Sequence, residues 1–336
     1  MYTWNKRYIN LLIKELKKTK KKTINDINDV KNDIDILKDL KRKLPYISLE
    51  INDIKRDLEE NKEEYKTLRH YNNIINPAIK KYSNEPYYNI DYKKIITSKE
   101  DLLLFTLDNI RNINKKWGKS IEPWITNKNT LKYKKNYKNY IIPLKSVNEY
   151  FISLNKKNNI CDYIEPTHEF LHILWFLLNH EAFDNVESEF LSILGELITS
   201  YEMKNNNLYN NEVIKYELDN IVRLFSFISD IEQRKKLAKL KNLSYKDLNI
   251  NKDVLNNILS SSLSYDYDTI ISYFIAIELF EIYKIDKEKC IYIVENIIKS
   301  NDKLNKKLKD NNIILHSSDE YYIKQLKKEY ETINNQ

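Results

Sequence analysis

Residues 162–180 read DYIEPTHEFLHILWFLLNH, and the interpretation of this run sets that of the whole chain. His168 and His172 are four apart, so on an α-helix they stand on one face, one turn from each other. Two imidazoles so placed can grip one Zn²⁺, with Glu169 beside them to take a proton from a water at the metal. The chain has only 5 histidines, so the spacing is not a by-product of abundance. Asp162 and Glu165 have the spacing of a capping box with Asp162 as the cap, and Pro166 falls in the first turn, where its missing N–H costs little. Leu171, Ile173, Leu174, Trp175, Phe176, Leu177 and Leu178 make the helix apolar almost all round, which predicts a buried helix running to about His180. Two histidines and a glutamate in such a helix need partners, because unpaired buried polar groups are costly. A metal would supply one.

A catalytic zinc commonly has three protein ligands and one open position. No third histidine follows at the short H-E-x-x-H-x-x-G-x-x-H spacing, so a carboxylate is the better candidate. Glu181, Glu187, Glu189 and Glu196 are within reach in the sequence. The segment from Glu189 to Glu196 predicts a second helix, with Phe190, Leu191 and Leu194 drawing it into the interior. Glu189, Ser192, Ile193 and Glu196 share a stripe, whereas Glu187 points about 160° away at 100° per residue. Glu189 is therefore the expected third ligand. Glu196, two turns on, is placed to hydrogen-bond a ligand imidazole.

Composition narrows the alternatives. At 336 residues the chain can bury a large core. With Gly 2 and Pro 6 it lacks the turn-formers of an all-β fold and the glycines of a phosphate-binding loop. Lys+Arg 56 against Asp+Glu 49 leaves +7 with both signs interspersed, which reads as solvated helix faces and not as a nucleic-acid footprint. Cys161 and Cys290 have no C-x-x-C partner, so neither a thiolate metal site nor a redox motif is expected. No run reaches the roughly 18 apolar residues of a membrane span, and the first residues show no cleavage pattern. A cytoplasmic protein without nucleic-acid or membrane partners is expected. His180, His70 and His316 carry no motif, and oligomeric state is left open.

Along the chain, residues 1–75 read as polar helices with a narrow apolar stripe, interrupted at Pro45: an N-terminal helical hairpin or arm. Residues 76–336 form the main helical domain. Residues 73–97 suggest an irregular crossing, 99–117 a helix, and 128–149, rich in Lys, Asn and Tyr, an irregular segment. Tyr150-Phe151-Ile152-Ser153-Leu154 is short and apolar and predicts a strand just before the active helix.

Glu-x-x-Ser-x-x-x-Glu at Glu189, Ser192 and Glu196, after the H-E-x-x-H helix, resembles the thimet oligopeptidase and oligoendopeptidase F family. The similarity runs over about 95–300. It takes in Trp124, the strand at 150–154, the Arg223–Glu232 helix and the tyrosine-rich stretch from Tyr265 through Tyr273 to Tyr283. The chain departs from the family at Leu171, where a glycine is usual, and at Trp175, where a further histidine is usual. The resemblance implies a mainly α, multi-helix zincin-like metallopeptidase with a small β-sheet edge beside the active helix and an N-terminal helical lobe. It implies zinc held by His168, His172 and Glu189, Glu169 as general base, and short peptides as substrates. It also implies one or two tyrosines that donate to the oxyanion, with Tyr265, Tyr267 and Tyr273 as candidates. The strand would present an open edge at Tyr150, Ile152 and Leu154 to the substrate backbone. The competing expectation is a metal-free helical binding protein on the same scaffold.

Overall fold

The computed structural model describes residues 90–126, 131–135, 139–144, 149–179, 185–238, 263–315 and 320–334, with isolated positions between 13 and 38. The arm expected over 1–75 lies almost wholly outside these residues. The described positions within it, such as Ile13 and Ile34, are helical, and Ile34 is buried. The described residues are mainly helical with one small three-stranded sheet. They divide into two compact units, one containing 95–177 and the other 178–334 together with 90–94.

The first unit opens with α1 (Lys99–Ile113). Ser98 caps it by accepting a hydrogen bond from the Asp101 N–H at 3.1 Å, and Glu100 and Asp101 oppose the positive end of the helix dipole. Leu102, Leu103, Leu107, Ile110 and Ile113 form its buried face. The single helix expected over 99–117 is broken at Asn114. Its side-chain oxygen accepts from the N–H groups of Lys116 (2.8 Å) and Trp117 (3.2 Å), which starts α2 (Lys115–Thr126) instead. The two helices meet closely at Gly118, where a Cβ would lie 2.3 Å from Arg111 Cγ and 2.9 Å from Arg111 Cα.

The segment expected to be irregular holds two strands, β1 (Leu131–Lys134) and β2 (Tyr140–Leu144). Leu-Lys-Tyr-Lys does alternate, but so weakly that the surrounding lysines and asparagines hide it. The predicted strand is β3 (Glu149–Asn155). The sheet order is β1-β3-β2, with β1 parallel and β2 antiparallel to β3. Pro143 is tolerated in β2 because that strand lies at an edge.

This order corrects the expectation of an open edge at Tyr150, Ile152 and Leu154. Ile152 is paired with Leu131 on one side and Ile141 on the other, Leu154 is paired with Tyr133, and Tyr150 with Pro143. Ile152, bonded on both sides, has no ladder left for a peptide, while Tyr150 and Leu154 are each paired on one side. The side chains of all three residues are also buried. An unbroken apolar run such as Tyr-Phe-Ile-Ser-Leu is the pattern of a covered, central strand.

Residues 156–160 lead into α3 (Cys161–Leu178), the expected buried helix. Its cap is not Asp162. Asn159 accepts from the Cys161 N–H at 3.0 Å, while the Asp162 carboxylate reaches back to the N–H groups of Lys157 (2.8 Å) and Asn158 (2.7 Å). Glu165 does not close a capping box either; it accepts from Asn139 Nδ2 at 2.6 Å and pairs with Lys157 Nζ at 2.5 Å. Pro166 stands further inside the helix than the first turn.

The second unit contains α4 (Asn185–Asn205), α5 (Asn210–Ala238), α6 (Leu263–Ile285), α7 (Lys287–Lys299), α8 (Leu304–Asp310) and α9 (Glu320–Asn334). Helix α6 packs on α4, α5 and α7, and α5 also packs on α9. Residues Ile270 to Leu279 of α6 are buried almost without interruption, so this helix is the axis of the unit's core. Asn207 and Tyr209 take left-handed backbone conformations, with φ of 54° and 57°, in the turn between α4 and α5. No helix among the described residues is long and apolar enough to cross a membrane.

The approach at Gly118 gives a direct test. Gly118→Ala places a methyl against Arg111 backbone and should lower stability by about 1–3 kcal/mol in denaturant unfolding. A neutral or stabilising substitution would mean that α1 and α2 are not so close.

Candidate metal centre

Helix α3 carries His168 and His172 on one face. Their Nε2 atoms are 3.1 Å apart, and the rings meet edge-on with centroids 4.8 Å apart and planes at 79°. Both residues are half-buried, and Glu169 beside them is buried. Burial holds the His172 pKa well below 6.5, and the neighbouring His168 lowers it further. The ring is therefore kept neutral, which is the form that binds metals.

Two nitrogens at this separation either share one N–H···N hydrogen bond or direct both lone pairs at one cation. Nitrogen ligands at about 2.0–2.1 Å from a tetrahedral ion stand about 3.3 Å apart, close to the spacing here. The donor set thus fits zinc in type and in distance.

Glu189 occupies the second turn of α4 and is half-buried. His168, His172 and Glu189 each offer one ligand atom, and these atoms all lie within 4.8 Å of one another. No other group of three potential ligands is brought this close among the described residues. Glu187 is instead buried on the other side of the helix, in an ion pair with Lys307 of α8.

Glu196 accepts a hydrogen bond from Asn220 Nδ2 of α5 at 3.0 Å. Tyr273 lies on α6, buried, and its hydroxyl has no hydrogen-bond partner among the described residues. Its pKa is raised far above the ordinary value, first by burial and then by the carboxylates of Glu196 and Glu217. It remains a proton donor at any working pH. Tyr265 and Tyr267 belong to the first turns of α6, and their side chains lie outside the described residues, as do His70, His180, His316 and Glu181.

The cysteines are buried and take no part. Cys290 donates to the Leu279 carbonyl at 3.2 Å, and burial pushes its thiol up to about 12, with Asp286 adding to the rise. A cavity of about 340 Å³ lies elsewhere in the second unit, among Tyr201, Lys204, Glu217, Phe280, Lys284 and Glu329. None of the candidate metal-binding or catalytic residues lines it. Asn220 and Lys307 carried no local signal, since each meets its partner only through the fold.

No protein-family model matches the chain, and no curated protein matches it in sequence. Solved structures do match in fold. One is PZ peptidase A with an inhibitor, at TM-score 0.53 and 12% identity, covering 81% of this chain and 58% of that one. A second is described as an oligoendopeptidase F from Bacillus anthracis str. Ames, at TM-score 0.53 and 13% identity, covering 97% of this chain and 64% of that one. A third is described as a peptidase from Chlamydophila abortus, at TM-score 0.53 and 14% identity, covering 85% of this chain and 56% of that one. The chain spans less than two thirds of the length of each. It has the fold of the oligoendopeptidase F and PZ peptidase structures.

Proposed function

We propose that this chain is a zinc-dependent peptidase that hydrolyses short oligopeptides. The observation that carries the reading is the imidazole pair of α3, with Nε2 atoms 3.1 Å apart and the Glu189 carboxylate in ligand range. The fold shared with peptidase structures supports it. His168, His172 and Glu189 would hold the metal. Bound there, zinc supplies a Lewis acid that polarises a carbonyl and lowers the pKa of water towards about 7.

The remaining work falls to the chain's own side chains. Glu169 lies about 100° round the helix from His168 and about 60° from His172, so it borders the ligand face without joining it. As a carboxylate it takes one proton from the attacking water, whose oxygen forms the new bond to the carbonyl carbon. When the C–N bond breaks, Glu169 passes that proton to the leaving amine, so the residue ends as it began. Tyr273, kept protonated by burial and by Glu196, is the donor for the developing oxyanion. Glu196, which accepts from Asn220, would orient a ligand imidazole in this reading.

Three outcomes follow from this assignment. Purified chain should take up one zinc, and His168→Ala should lose it, as read by metal analysis. Glu169→Gln should keep the metal yet cleave peptides about 10²–10⁴ times more slowly. Retained cleavage in that variant would remove Glu169 from the mechanism. Tyr273→Phe should lower kcat about 10²-fold or more with metal content unchanged; unaltered kcat would return this tyrosine to the core.

A further inference from the structure

Helix α4 is held at its first turn by two ties from distant parts of the same unit. Ser272 Oγ on α6 shares its one proton between the Asp268 carbonyl of its own helix at 2.6 Å and the Val186 carbonyl of α4 at 3.0 Å. Lys307 Nζ on α8 pairs with the Glu187 carboxylate, 120 residues away in sequence. Both charged side chains are almost completely enclosed, with 6% and 2% exposure. An ion pair so buried contributes little net stability, because desolvation of the two charges consumes most of their attraction. What it does supply is a fixed geometry, since either charge left alone in that environment is strongly unfavourable.

Geometry matters at this point of the helix. Glu187 and Glu189 are two residues apart, about 160° round the axis from each other. Fixing the direction of Glu187 therefore fixes the direction in which Glu189 points. Among the described residues, the ties at the first turn of α4 come from α6 and α8.

We propose that Lys307 is a positioning residue: by pinning Glu187, it sets the rotation of the first turns of α4 and so aims the Glu189 carboxylate at the imidazole pair. The proposal rests on the reading of Glu189 as a metal ligand. It concerns zinc affinity before it concerns activity, because a misdirected third ligand weakens the grip on the metal.

The test uses the full chain and zinc itself, with affinity measured by competition against a chromophoric chelator and stability by thermal unfolding of the metal-free protein. Wild type is measured first; failure to bind zinc overturns the metal reading itself. Lys307→Met strands the Glu187 charge and should lower both stability and zinc affinity. The double variant Glu187→Met with Lys307→Met removes both charges and should recover stability. Under the proposal its zinc affinity stays roughly tenfold to a hundredfold below wild type, the range seen when the support of a metal ligand is lost. Zinc affinity within about twofold of wild type in the folded double variant would overturn the role of Lys307 and leave the metal reading intact.

Discussion

The imidazoles of His168 and His172, with Nε2 atoms 3.1 Å apart on a largely buried helix, are the constraint around which the proposed function is built. Two basic nitrogens facing each other cannot both be protonated at that distance. Burial and the neighbouring ring push His172 in the same direction, towards the neutral form. A surface pair would exchange water and titrate independently. This pair either shares one N–H···N hydrogen bond or turns both lone pairs to one cation, and the proposed function rests on the second.

The scaffold keeps that arrangement by burying nearly everything around it. In the first unit, Phe170, Leu171, Ile173, Leu174 and Trp175 of α3 are buried, and the sheet contributes Phe151 and Ile152 to the core. The loop before α3 is folded by Asp162 onto the N–H groups of Lys157 and Asn158, so the helix starts at a fixed place. In the second unit α6 is the apolar axis, and the charged residues enclosed near it are paired: Glu187 with Lys307, and Glu217 with Lys204 at 2.7 Å. Burial raises the Glu217 pKa, and Lys204 opposes that rise. Such pairs fix where elements sit more than they strengthen the fold.

Much of this was legible in the sequence, for local reasons. The i, i+4 histidines, the apolar circumference of α3 and the stripe containing Glu189 are periodic signals, and the structure follows them. What failed was set by tertiary context. The cap of α3 passed from Asp162 to Asn159 because Asp162 found better donors behind it. The strand at 149–155 became central because β1 and β2 formed from a segment whose lysines disguised its alternation. Ile152 thereby lost the role of an open edge, and Tyr150 and Leu154 each gained a partner strand on one side. The partners of Glu187 and Glu196 lie on other helices, and no spacing rule reaches that far. The opposite directions of Glu187 and Glu189, about 160° apart round the helix, were legible from their spacing, while the ion pair that holds Glu187 was not.

X-ray absorption at the zinc edge of the loaded chain tests the central claim most directly. The account predicts a low-coordinate shell of nitrogen and oxygen at about 2.0–2.1 Å with the multiple-scattering signature of two imidazoles. A sulfur shell near 2.3 Å, or an oxygen-only shell without imidazole scattering, would contradict it.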